Sequence, residues 1–174
     1  WRELTMLMEY ATAWTYRLLP WTTPPDFLWF VILWVSVVSS LGVAAFYFIG
    51  LRLTRAPPLA LAAAAAYGLS YAALSDLIGT YGFQCFAMPM ILASLAFFIA
   101  ALDPEEKNPS VFRILSGLTM ALALASWHVT RFYLATFFLA GFYGLWQSRK
   151  NPAALERLKK SLGILLGFAF AAGA

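Results

Sequence analysis

The chain has 174 residues, 62% of them hydrophobic, 17% aromatic and only 11% charged. That is far from the roughly 25% charged content of soluble domains, so the composition excludes a soluble enzyme or binding module and requires an integral membrane protein. A single cysteine, Cys85, excludes an internal disulfide and a cysteine-based zinc cluster, and the formal charge of +4 is explained by orientation in a bilayer rather than by an acidic partner or nucleic acid.

Residues 1–22 begin the chain with apolar side chains at Leu4, Leu7, Met8, Ala11, Trp14 and Leu18, separated by Glu3, Glu9 and Arg17. The spacing is helical and the segment too polar to span, which predicts an amphipathic helix lying at the outer interface. Pro20 and the run Thr22-Thr23-Pro24-Pro25-Asp26 break it, and Thr23 or Asp26 can start the next helix. Residues 23–174 then read as an all-α bundle of transmembrane helices. Apolar runs near the length of a span occur at 27–49, 59–77, 83–102, 114–127 and 132–146, and a sixth opens at Ser161. The missing initiator Met and the apolar last residues lead us to expect a fragment of a larger membrane domain.

Pro57 and Pro58 force a short turn and suit the start of the following helix, whose alanines at 60, 62–66 and 72 permit close helix contact. Pro89 predicts a kink or a buried position near one end of its helix. Nine of the twelve Lys and Arg fall in residues 50–58, 103–113 and 147–160, which the positive-inside rule places in the cytoplasm. Residues 1–25, 76–82 and 128–131 then face the external or lumenal side of an inner, plasma or endoplasmic reticulum membrane.

Polar groups are costly in a membrane, so those at the outer edge need a reason. His128 and Arg131 are one helical turn apart if the helix continues, and would form a cationic corner able to bind a phosphate. The plainer reading is an arginine snorkelling to the interface and a turn histidine. Asp76 ends the alanine-rich run on the same face and suits a metal ligand, a partner of Arg131 or a solvated helix-end acid. Tyr81, Gln84 and Trp127 complete the outer-face set. Glu3 and Glu9 read as the wet side of the interfacial helix, Cys85 as a packing residue, and the inner-loop bases as orientation signals. There is no phosphate-binding glycine loop, dinucleotide fingerprint, HExxH or Gly-x-Ser-x-Gly.

The order of these elements is an interfacial helix ending in Tyr-Arg-Leu-Leu, a helix closing in GVAAFYFIGLRLTR, the stretch AYGLSYAALSDLIGTYGFQ, and SGLTMALALASWHVTRFYLATFF. It resembles the membrane part of C-fold glycosyltransferases, most nearly the catalytic subunit of oligosaccharyltransferases, over nearly all of residues 4–146. The resemblance implies transfer of a sugar from a polyprenyl-phosphate or polyprenyl-diphosphate donor at the outer face. Arg131 and His128 would then hold the phosphate, with Tyr81, Gln84 and Trp127 as candidates for the substrate site; the family's carboxylate base usually belongs to the first outer loop, and Asp76 is the candidate catalytic acid within this stretch. It also implies a Mg2+ or Mn2+ ion, held in that family by an outer turn Gly-Ser-Tyr/Phe-Asp-Asn-Glu. Here Gly82 and Gln84 stand in place of its acids, and Ala125-Ser126-Trp127-His128-Val129 follows the later Ser-x-Trp-Gly-Gly-Tyr pattern with both glycines replaced. A non-catalytic membrane subunit of a larger assembly and a secondary transporter are the alternatives, the latter with its site near the bilayer midplane.

Overall fold

A computed structural model describes residues 7–20, 26–70, 84–127 and 129–173. Among them every regular element is helical: α1 (Leu7–Leu18), α2 (Phe27–Thr54), α3 (Pro57–Gly68), α4 (Gln84–Leu102), α5 (Pro109–Ser126), α6 (Thr130–Gln147), a short 3-10 turn (Ser148–Lys150) and α7 (Pro152–Gly173). The chain is a membrane protein, and α2, α4 and α5 are each long and apolar enough to cross a bilayer.

Local chemistry sets the boundaries. The Asp26 side chain accepts from the Leu28 N–H and caps α2, as expected for an N-cap acid. The same helix runs to Thr54, five residues past the apolar stretch that announces it, because Arg52 finds carboxylate partners that let the last turn remain folded. Arg55 then takes the left-handed conformation, with φ 53°, and its N–H bonds the Leu51 carbonyl, closing the helix in the manner usual for glycine. Pro57 starts α3 two residues later.

Helix directions follow from which side chains meet. Gly50 lies against Ala60 and Gly68 against Val43, so α2 and α3 are antiparallel. A Cβ on Gly50 would come within 3.1 Å of the Ala60 Cα, which explains glycine there. Phe46 and Tyr67 stack across the same seam at 4.8 Å. Ser94 pairs with Ser116 and Phe97 with Phe112, which makes α4 and α5 antiparallel. Gly117 receives the Phe168 ring while Arg113 meets Ser161, so α5 and α7 are parallel. Gly141 and Gly144 take Leu162 and Leu158, setting α6 antiparallel to α7. Hence α2, α4 and α6 run one way, and α3, α5 and α7 the other.

Polar contacts between α2, α4 and α5 help to hold the interior, at two levels. Ser94 and Ser116 each donate a hydroxyl to the other's carbonyl at 2.9 Å, both fully buried. The second repairs a defect. Pro89 lies inside α4 and has no N–H to give the carbonyl of Cys85 four residues earlier. The Ser39 hydroxyl of α2 donates to that carbonyl instead, at 3.3 Å. The sequence expectation of a kink or a buried proline resolves to a buried one, with its vacated acceptor satisfied by a neighbouring helix.

The segment 1–22 holds α1, which buries Met8 and Thr12 and exposes Glu9, Trp14 and Arg17. Met8 packs with Val35 and Cys85, and Tyr16 meets Phe27 and Phe30 edge-on at 5.2 and 5.1 Å. Cys85 is therefore a packing residue, as its setting in the sequence predicts.

Replacing Ser39 with Ala should lower stability by about 1 kcal/mol, the ordinary loss for an interhelical hydroxyl bond. In a Pro89→Ala background the same change should cost clearly less, since the restored N–H satisfies the Cys85 carbonyl. Unfolding in mixed micelles over the four combinations checks this, and equal losses in both backgrounds would refute the repair.

Candidate functional site

Of the outer-edge residues singled out in the sequence, Asp76, Tyr81 and His128 lie outside the described residues, as does Gly82. Gln84, Trp127 and Arg131 are described. Gln84 opens α4, Trp127 closes α5 and Arg131 belongs to the first turn of α6, so helix directions bring all three to one end of the molecule.

The chain does not continue as a single helix through this corner. Trp127 is extended, with φ −153° and ψ 120°, and ends α5 with its N–H on the Ala123 carbonyl. The Thr130 hydroxyl, fully buried, also donates to Ala123, at 3.1 Å, and its N–H reaches the Trp127 carbonyl. The corner is held locally: the Ala123 carbonyl accepts from both the Trp127 N–H and the Thr130 hydroxyl, and the Ser126 hydroxyl donates to the Leu122 carbonyl, a habit of Ser and Thr at helix ends. Arg131 is placed by α6, which opens at Thr130, while His128, the other half of the expected cationic corner, lies outside the described residues. Trp127 leans on Tyr133, with ring centroids 6.5 Å apart.

Arg131 lines a cleft of about 290 Å³ between α5, α6 and α7, whose other walls are Leu124, Leu134, Phe138, Leu166, Ala169 and Phe170. A cation on an otherwise greasy channel is the notable chemistry of this end. A larger cavity of about 420 Å³ runs between α2, α4 and α5, past Leu41, Ala45, Pro89, Ala93 and Phe97 to Arg52. Its cation is already committed, so this second space is apolar with a neutralised mouth.

That commitment is a network the sequence did not single out. Arg52 donates through Nη1 to Asp103 at 3.1 Å and through Nη2 to Glu106 at 2.8 Å, joining α2 to the loop between α4 and α5. Arg55 stands 4.0 Å from Asp103 and 3.7 Å from Glu105. The available signal was charge complementarity: two basic residues in one connection and three acids in the next on the same side. The Glu105 N–H and the Arg52 guanidinium hold the Asp103 carboxyl below its ordinary value, against a smaller opposing effect of lost solvent. The Arg52 hydrogen bond, helped by the Asn108 N–H, does the same for Glu106.

Among the described residues no three His, Cys, Asp or Glu side chains converge to hold a metal. Gln84 adds no carboxylate, and Asp76, the acid expected at this corner, lies outside the described residues. No known family, no curated protein and no solved structure matches this chain.

Both depressed carboxyls contribute stability above their ordinary values of 3.8 and 4.5 and lose it as pH falls toward their values in the folded protein. The thermal midpoint should hold steady from neutrality to about pH 4.5 and then decline. Arg52→Gln should lower the plateau and make the acid decline shallower. An acid limb of unchanged depth in the variant would rule the network out as its source.

Proposed function

We propose that the chain is part of a C-fold membrane glycosyltransferase that takes its sugar from a polyprenyl-phosphate or polyprenyl-diphosphate donor. The reading extends the three apolar helices to a bundle of about six spans, with α1 along the outer interface and the loops at 50–58, 103–113 and 147–160 in the cytoplasm. Alternating helix directions support it, since they gather the base-rich connections at one end and the Arg131 corner at the other.

The observation that carries the proposal is Arg131 on the wall of the apolar cleft. A polyprenyl phosphate is an anion joined to a long isoprenoid. Its phosphate would take the planar donor fork of the guanidinium, while its tail would lie along Leu134, Phe138, Leu166 and Phe170, exchanging lipid contacts for protein ones. Bond breaking between sugar and phosphate leaves negative charge on the departing oxygen, and a cation fixed beside it stabilises that charge more as it grows. Arg131 is thus assigned to hold the donor and to support its departure. His128 is assigned to the same phosphate, Trp127, Tyr81 and Gln84 to the sugar or acceptor side, and Asp76 to proton removal from the acceptor.

Crosslinking with a photoactivatable polyprenyl-phosphate sugar tests the assignment. Arg131→Gln should weaken capture about tenfold or more, the usual value of a charge-assisted hydrogen bond, and Arg131→Lys should restore part of it. Equal capture by wild type and Arg131→Gln, with helical content intact, would remove the phosphate role.

A further inference from the structure

The opposite end of the molecule holds a second cation in an unusual position. Arg113, one turn into α5, is 9% exposed, and its one hydrogen bond among the described residues runs from Nε to the hydroxyl of Ser161 on α7, at 3.3 Å. That hydroxyl is neutral and is itself donated to the Arg157 carbonyl. Among the described residues Arg113 has no carboxylate within 4.0 Å. The acids of this end are occupied elsewhere: Asp103, Glu105 and Glu106 by Arg52 and Arg55, and Glu156 by Lys160 at 3.4 Å.

An arginine this deeply buried ordinarily needs an anion, since burial of an uncompensated charge is strongly unfavourable. No buried side-chain nitrogen or oxygen among the described residues is left without a partner, so the remaining donors of Arg113 open onto the little surface that it keeps. The surroundings add positive potential. The N-termini of α5 and α7 lie at this end, and Arg157 stands one turn before Ser161 on the same side of α7, with no acid in reach among the described residues.

We propose that Arg113, steadied by Ser161 and supported by Arg157, is a binding site for a phosphate group at the base-rich end of the helices, supplied by an anionic phospholipid headgroup. Planar guanidinium and tetrahedral phosphate match in geometry, and a site between two helix ends of a membrane chain is where headgroups are concentrated. The site is distinct from the Arg131 corner, and its failure would leave that reading untouched.

The test holds the whole chain in phosphatidylcholine nanodiscs doped with phosphatidylglycerol and reads, by native mass spectrometry, which lipid stays bound. Wild type should retain phosphatidylglycerol about tenfold above its share of the bilayer. Arg113→Gln should return to the bulk ratio, whereas Arg149→Gln, whose cation rests on the Trp146 ring, should not. Should Arg113→Gln lose helical content, Arg157→Gln takes its place and should reduce the enrichment. Protection by inorganic phosphate without lipid enrichment would assign the same site to a free phosphate. Absence of both effects in wild type, or their persistence in folded Arg113→Gln, would overturn the proposal.

Discussion

Polar groups between these helices must be satisfied by other parts of the chain, and the arrangement of the molecule follows from that requirement. In an apolar surrounding an unmatched carbonyl or hydroxyl has no water to turn to. The reciprocal Ser94 and Ser116 bonds fix α4 against α5 at one level, and the Ser39 hydroxyl fixes α2 against α4 at another. The apolar contacts around them are interchangeable with lipid tails and so specify little. The few hydrogen bonds and the glycine notches at Gly50, Gly117 and Gly141 decide which helix lies beside which, and in what register.

The same rule separates the two ends. At the base-rich end, carboxylates from one connection neutralise Arg52 and Arg55, and Arg113 is left with a serine. At the other end Arg131 borders an apolar cleft. The same residue type thus acquires different chemistry from place to place. At the base-rich end, which acids are within reach, rather than the residue type, sets the role of each arginine.

Much of the helical content was legible in the amino-acid order, because long apolar runs with proline punctuation admit few other structures. The breaks near residues 55 and 103 and the alternation of direction were readable in the same way. The end of α2 was legible in GVAAFYFIGLRLTR, but the carboxylate partners of Arg52, fifty residues away, were not. The proline at 89 signalled a missing bond, but nothing local pointed to Ser39 as its replacement. Around Arg131, residue types suggested an anion-binding corner, while the extended Trp127 and the Thr130 hydroxyl bond back to Ala123 were not signalled by spacing. Arg113 read as an orientation signal because burial is a property of the packed helices.

The joint between α2 and α3 has a mechanical corollary. Only Arg55 and Ala56 separate the two helices, and the Gly50 backbone is seated against Ala60. Neither helix can slide along the other without opening that seat, so the pair behaves as one stiff strut. Because Arg52 is clamped to the loop at 103–108, an axial push on this strut at either end would be delivered to α4 and α5 together.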